Sequence, residues 1–115
     1  MEEKRKDERI MQSLSTKITL KGFGFFGIVN DLSKGGLGLT SDSLLHEGTV
    51  VKLELTIPNH SLMTLIGKVV WRKEFLDKSN KKQRYGIQLI QKPDENELLI
   101  PDEYYLYIEE QLTQS

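Results

Sequence analysis

The sequence predicts an all-β domain: a six-stranded antiparallel β-barrel with a C-terminal α-helix and a flexible N-terminal arm. Three observations support this fold class. Apolar and polar residues alternate with period two through most of the chain, turn-forming residues separate the alternating runs, and a helical pattern occurs only near the C-terminus. Short strands at this spacing are typical of a closed or nearly closed antiparallel barrel.

The elements follow in chain order. Residues 2–9 contain four acids, four bases and no apolar residue, which is the composition of a flexible arm. A turn over residues 31–36 separates the second and third strands, and a hydrophilic tip over residues 77–82 separates the last two. The predicted strands cover residues 14–21, 25–30, 37–40, 51–57, 61–73 and 84–91. The alternation in the fifth strand directs Met63, Leu65, Val69 and Trp71 to one side.

Helical signals are confined to the C-terminal end. Asp94 and Glu97 have the spacing of a capping box, with Asp94 as the N-cap. Pro101 breaks or restarts this helix. In the stretch that follows, Tyr105, Ile108 and Leu112 share one helical face.

The length of 115 residues fits a single domain. We divide it into an arm (1–12), a barrel (13–92) and a C-terminal helical segment (93–115). The absence of cysteine excludes disulfides and thiol chemistry. Without an apolar run resembling a signal peptide or the ~20 residues of a membrane span, the chain is expected to be cytoplasmic and not inserted in a membrane.

The net charge of −1 hides an uneven distribution. Residues 1–93 contain all 16 lysines and arginines and have a net charge of +6, whereas residues 94–115 have a net charge of −7. A basic body with an acidic end favours the binding of an anionic ligand by the body.

The sequence does not indicate an enzyme. Residues 22–27 match the dinucleotide string G-x-G-x-x-G, but the β-forming residues after it predict a glycine-rich hairpin with exposed aromatic side chains instead. His46 and His60 lie in predicted loops without partners at ligand spacing, so neither a metal nor another cofactor is expected. With no activated nucleophile, we predict no catalytic residue, and the sequence favours a binding protein over an enzyme.

Two groups of polar residues are candidates for ligand binding. Arg5 and Arg9 place two guanidinium groups on one side of the arm, which suits phosphate oxygens or the O6 and N7 atoms of guanine. Asp31 and Ser33 offer a carboxylate and a hydroxyl, and the glycines after them let a flat base approach the backbone. Taken separately, each group also fits a simpler interpretation, as charges in a solvated arm and as an Asx-type turn.

Together the two groups form more specific motifs. Residues 5–9 are an R-x-x-x-R, and residues 31–36, about twenty positions further on, are a [D/N]-x-S-x-x-G. In this order, at the start of an all-β domain, they resemble the PilZ domain family. The resemblance continues through residues 48–51, 67–71 and 85–89, and so covers nearly the whole chain.

The resemblance implies a six-stranded split barrel that binds the bacterial second messenger cyclic diguanylate (c-di-GMP). It also implies that Arg5 and Arg9 hold phosphates and guanine Hoogsteen edges. Lys4 is a further candidate contact, because an arginine often stands at this position in the family. Residues here influence whether one ligand or a stacked pair binds.

The second motif has its own implied roles. Asp31 and Ser33 would hold a guanine edge, Gly36 would allow close approach of the backbone, and Gly35 is an additional candidate contact. A receptor of this kind would relay the signal to a downstream protein by ordering its N-terminal arm. The outputs of the family are motility, exopolysaccharide synthesis with biofilm formation, pilus function and virulence.

Two alternatives remain open from the sequence. One is a PilZ-like protein-interaction module that does not bind nucleotide. The other, less favoured because neither DNA nor RNA is an expected partner, is a small barrel that binds single-stranded nucleic acid through aromatic and basic side chains. The residues for that function would be Phe23, Phe25, Phe26, Trp71, Lys81, Lys82 and Arg84.

Overall fold

The computed structural model describes residues 8–60, 62–90 and 101–113. These residues form six β-strands followed by one α-helix. The elements are β1 (Ile10–Leu20), β2 (Phe23–Leu32), β3 (Gly36–Ser41), β4 (Val50–Leu55), β5 (Met63–Asp77), β6 (Asn80–Leu89) and α1 (Asp102–Thr113). The predicted all-β fold with six strands and a C-terminal helix is confirmed.

The strands form one antiparallel sheet that closes on itself. The hydrogen-bonded order is β1-β2-β3-β6-β5-β4, and β4 pairs back with β1, where Thr16 lies opposite Leu55. Since residues along a strand alternate between two faces, closure gives each strand an inner and an outer face. The inner faces supply the core, which includes Ile18, Leu53 and Leu65, all fully buried.

Several element bounds differ from the predicted ones. β1 begins at Ile10, inside the segment predicted as the arm, and β2 continues through Asp31 and Leu32, which were predicted to lie in the turn. β5 and β6 extend to a two-residue turn, so the predicted hydrophilic tip is mostly strand. The predicted capping box at Asp94 and Glu97 lies outside the described residues.

Tight turns explain two of the hairpins. Lys21 and Gly22 join β1 to β2 with φ values of 51° and 86°, and Lys78 and Ser79 join β5 to β6 with φ values of 55° and 75°. Positive φ at both central residues is typical of a type I′ turn, whose twist matches that of the flanking strands. The glycine-rich segment after Lys21 therefore enters a strand, as predicted, and no helix follows it.

The helix α1 packs against the core with a face that differs slightly from the predicted one. Tyr104, Tyr107 and Ile108 are buried, whereas Tyr105 and Leu112 are only partly buried. The Tyr107 hydroxyl donates a hydrogen bond to the Gln12 side chain and so fastens the helix to β1. Among the described helical residues, none belong to a helix long and apolar enough to span a membrane.

Candidate ligand-binding site

The second motif forms a turn that is held by hydrogen bonds between its own residues. The Ser33 hydroxyl donates to the Gly36 carbonyl at 3.1 Å and accepts from the Gly36 N–H at 3.2 Å. The Ser33 N–H donates to the same carbonyl at 2.8 Å, and the Gly35 carbonyl accepts from the Leu89 N–H at 2.9 Å. A Cβ at Gly36 would overlap the Ile87 carbonyl oxygen. The turn is thereby fixed against β6, and only glycine fits at position 36.

Asp31 reaches the outer face because of a β-bulge. The β2–β3 register shifts between Val29 and Asp31, and a bulge of this kind re-aims the side chains that follow it. The Asp31 carboxylate lies 2.5 Å from Arg9 Nη1, and the two side chains are 11% and 48% exposed. The second arginine of the first motif is therefore already bonded to the carboxylate of the second motif.

A row of residues crosses four strands beside this ion pair. Asp31 lies opposite Gly38, Gly38 opposite Gly86, and Gly86 opposite Trp71. A Cβ at Gly38 would lie 2.6 Å from the Asp31 carboxylate, and a Cβ at Gly86 would overlap the Trp71 indole. Because the two glycines have no side chains, the side chains of Asp31 and Trp71 can each extend over one of them. We call Gly38 and Gly86 the glycine floor.

The orientation of Trp71 corrects the sequence analysis, which placed it on the same side as Met63, Leu65 and Val69. Those three residues are buried, but Trp71 is 46% exposed. The β5–β6 register shifts between Val69 and Trp71, so one extra residue reverses the alternation beyond Val69. The indole consequently lies on the outer face, over the glycine floor.

Arg84 adds a second cation next to Asp31. Its Nη2 lies 3.7 Å from the carboxylate. Its Nε is buried and has no hydrogen-bond acceptor among the described residues. A buried donor without a partner is uncommon in folded proteins.

These groups surround a cavity of about 360 Å³ on the outer face. Four predicted contact residues from the second motif and Arg9 from the first motif all line it. Lys4 and Arg5 lie outside the described residues. The lining consists of Arg9, Asp31, Ser33, Gly35, Gly36, Leu37, Gly38, Val70, Trp71, Arg84, Gly86, Ile87 and Gln88.

The helix α1 contacts the turn formed by the second motif. The Tyr104 hydroxyl donates to the Ser33 carbonyl at 2.7 Å, and Glu109 lies 2.9 Å from the Lys34 ammonium. Burial raises the pKa of Tyr104 above its ordinary value, so the hydroxyl keeps its proton to a higher pH than an exposed tyrosine does. The position of the turn is thus coupled to that of the helix.

The residues suggested for nucleic-acid binding have carboxylate neighbours. Lys81 lies 3.8 Å from Glu74, and Lys82 lies 3.1 Å from Asp42. Phe23 and Phe26 are exposed, whereas Phe25 packs against the core. No group of three or more potential metal ligands occurs within the described ranges.

Sequence reasoning assigned no binding role to Gly38 or Gly86, and it suggested Arg84 and Trp71 as contacts only for nucleic acid. One signal was available. Gly86 lies between Tyr85 and Ile87, which point inward, and a glycine on the outer face of a strand indicates close approach by another group.

Comparison with known proteins identifies the family. The family model for the PilZ domain matches residues 3–104. The chain therefore belongs to the PilZ domain family. A search of curated proteins gave no match.

Solved structures have the same fold. The chain superposes on the PilZ domain of Escherichia coli YcgR, determined with c-di-GMP, with a TM-score of 0.71 at 15% identity, covering 97% of this chain and 94% of that one. The K. pneumonia MrkH–c-di-GMP complex gives a TM-score of 0.70 at 17% identity, covering 96% and 52%. Bacillus subtilis MotI, an inhibitor of motility, gives 0.71 at 14% identity, covering 97% and 51%. The chain spans about half the length of MrkH and MotI.

Proposed function

We propose that the chain is a c-di-GMP receptor, with the ligand bound over the glycine floor between Asp31 and Trp71. The observation that carries the proposal is the row Asp31, Gly38, Gly86, Trp71, with Arg9 against its acidic end. The ligand is a dianion with two flat guanine bases, and the cavity combines arginines, a carboxylate, an aromatic ring and exposed backbone.

Each group has a chemical role in this proposal. Asp31 accepts hydrogen bonds from guanine N1 and N2, and Arg9 with Arg5 donates to phosphate oxygens or to the Hoogsteen edge of a base. Trp71 stacks on a base, an interaction worth roughly 1–3 kcal/mol. Arg84 supplies its positive charge. Ser33 and Gly36 hold the turn so that the backbone and Gly35 face the ligand, and Lys4 affects how many ligands bind.

Binding requires an exchange of partners. Arg9 donates to the Asp31 carboxylate, and in this proposal the ligand inserts between the two side chains or redirects Arg9 toward a phosphate. We propose that this exchange orders the N-terminal segment over the cavity and presents a surface to a downstream protein. The change acts as a signal because the two states differ in affinity for the ligand.

Isothermal titration calorimetry with the purified chain tests the binding proposal. Charged hydrogen bonds contribute roughly 1.5–3 kcal/mol each, so Arg9→Ala should weaken binding at least about tenfold. Lys52→Ala, an exposed cation on β4, serves as the control and should bind like the wild type. No heat at micromolar concentrations, or equal affinity for Arg9→Ala, would contradict the proposal and favour an interaction module that binds no nucleotide.

Two further measurements separate the parts of the proposal. Asp31→Ala should reduce the preference for a cyclic dinucleotide with guanine over one with adenine, because adenine lacks the N1 and N2 donors. Ligand should also slow amide hydrogen exchange in residues 1–9 if the N-terminal segment becomes ordered. Binding without such protection would retain the receptor and reject the ordering step.

A further inference from the structure

One edge of β5 carries no neighbouring strand over its last eight residues. The pairing with β4 ends where Val50 lies opposite Lys68, followed by a backbone hydrogen bond from Val69 N–H to the Thr49 carbonyl. Beyond this point β5 pairs only with β6, and the two strands form a ribbon that extends to the turn at Lys78. Within residues 8–60, 62–90 and 101–113, nothing pairs with the outer edge of this ribbon.

Large apolar side chains lie exposed along this edge. They are Val70, Trp71, Phe75 and Leu76, and Leu76 is 67% exposed. An unpaired strand edge presents a row of free N–H and C=O groups and is a template for another strand. Apolar side chains on such an edge favour an occupant that covers them.

The order of residues on the edge is complementary to itself. At equal distances on the two sides of Lys73 the residues are opposite in charge or alike in chemistry: Arg72 and Glu74, Trp71 and Phe75, Val70 and Leu76. When two copies of a strand pair antiparallel about a two-fold axis, each residue meets the one at the same distance on the other side of the axis.

We propose that a second copy of this chain pairs with this edge, antiparallel and centred on Lys73. In this register Arg72 of each copy faces Glu74 of the other, and Trp71 faces Phe75. Opposite charges and aromatic pairs are the favourable cross-strand combinations. The result is an isologous two-fold dimer in which the β5–β6 ribbons form one four-stranded sheet.

The backbone geometry agrees with this register. In a type I′ turn the carbonyl of the first residue accepts from the N–H of the fourth, so Asp77 and Asn80 form a hydrogen-bonded pair. Because such pairs alternate along a ladder, Arg72, Glu74 and Leu76 direct their N–H and C=O groups to the free edge. The proposed register places Arg72 opposite Glu74, so these groups meet each other.

The central position is the exception to this complementarity. Lys73 faces Lys73 of the second copy, and Arg84 neighbours each of them across the ribbon. Like charges directly opposite each other are unfavourable, so we expect association to be reversible. Val70 and Trp71 also line the cavity at the beginning of the edge, but the dimer does not depend on a ligand.

A single-cysteine variant tests both the dimer and its register, since the chain has no cysteine of its own. With Lys73→Cys, the two thiols lie directly opposite each other in a non-hydrogen-bonded pair, with Cα atoms about 4.5 Å apart, within the range for a disulfide. Mild oxidation should convert this variant into a covalent dimer of twice 13.3 kDa. Replacing Lys73 also removes the repulsion at the axis and should strengthen association in sedimentation measurements under reducing conditions.

The controls are Phe75→Cys and Lys52→Cys. In the proposed register residue 75 of one copy faces residue 71 of the other. The two copies of residue 75 are therefore four residues apart along the strands, about 13 Å, and Phe75→Cys should remain uncross-linked. Lys52→Cys, exposed on β4, measures cross-linking by random collision. Cross-linking of Phe75→Cys in place of Lys73→Cys, or no excess of Lys73→Cys over Lys52→Cys, would overturn the proposal. Leu76→Lys should weaken reversible association of the otherwise unmodified chain, and equal association would also overturn it.

Discussion

The hydroxyl of Ser33 contributes to the candidate site by stabilising the turn that lines it. The sequence analysis assigned this hydroxyl to a guanine edge. In the structure Ser33 is fully buried, and its hydroxyl both donates to and accepts from Gly36. The side chain therefore stabilises the turn that lines the cavity. A ligand in the cavity would contact the turn in this fixed conformation.

Ser33→Ala should destabilise the fold by about 1–3 kcal/mol, because it leaves the buried Gly36 N–H without its acceptor. Urea unfolding followed by circular dichroism measures the loss. Ser15→Ala, on the exposed face of β1, should change stability by less than about 0.5 kcal/mol. Equal stability of the two variants would show that the turn does not need the hydroxyl.

That four motif residues lie close together was predictable from the sequence. Arg9, Asp31, Ser33 and Gly36 were selected by chemistry and spacing, and they line one cavity. What the sequence did not reveal is the ion pair between Arg9 and Asp31. The two residues are 22 positions apart, so their contact depends on strand pairing, which local patterns do not show.

At the scale of strands and turns, two β-bulges determine which side chains face the candidate site. One precedes Asp31 and the other precedes Trp71, at opposite ends of the same row. Strict alternation from Val69 directs Trp71 inward, so a pattern of period two predicts the wrong face. A bulge leaves little trace in composition, and for this reason the strands were predictable while the orientation of Trp71 was not.

The turn between β5 and β6 has an unusual backbone conformation. Lys78 and Ser79 both have positive φ, a conformation that costs a non-glycine residue about 1 kcal/mol. Ser79→Gly should therefore stabilise the ribbon by about 0.5–1 kcal/mol, seen as slower amide exchange in residues 74–83 and a higher melting temperature. Ser79→Ala should bring no gain, and a gain equal to that of glycine would exclude backbone strain as the cause.

For the whole molecule, the fold class was predictable because alternation extends over six segments. The order of strands was not, since β3 pairs with β6 and β1 with β4 across long sequence separations. Local patterns contain no information about such pairings. The closed sheet nevertheless gives them a simple consequence: Asp31 on β2 and Trp71 on β5 reach the same row.

Three buried tyrosines make the free energy of unfolding depend on pH in alkaline solution. Burial raises the pKa of Tyr104, Tyr85 and Tyr107, so the folded state keeps these protons to higher pH than the unfolded chain. The associated stability is fully present below about pH 10 and is lost as the pH rises further, because the unfolded chain ionises first. Urea unfolding between pH 9 and pH 11, roughly one unit on either side of the ordinary tyrosine pKa, should show declining stability.

Tyr104→Phe should flatten part of this alkaline decline, although its stability at neutral pH is lower because the Ser33 carbonyl loses a donor. Leu106→Ala, an exposed change on the same helix, should leave the slope unchanged. An equal slope in the wild type and Tyr104→Phe would mean that other groups cause the decline.

Trp71 is the only tryptophan in the chain, and it lies over the glycine floor of the cavity. The tryptophan fluorescence of the chain therefore comes from one side chain at the candidate site. A guanine stacked on the indole would quench its emission, and removal of water from the exposed part of the ring would shift the emission to shorter wavelength. Occupancy of the cavity can thus be followed optically in the unlabelled, unmodified chain.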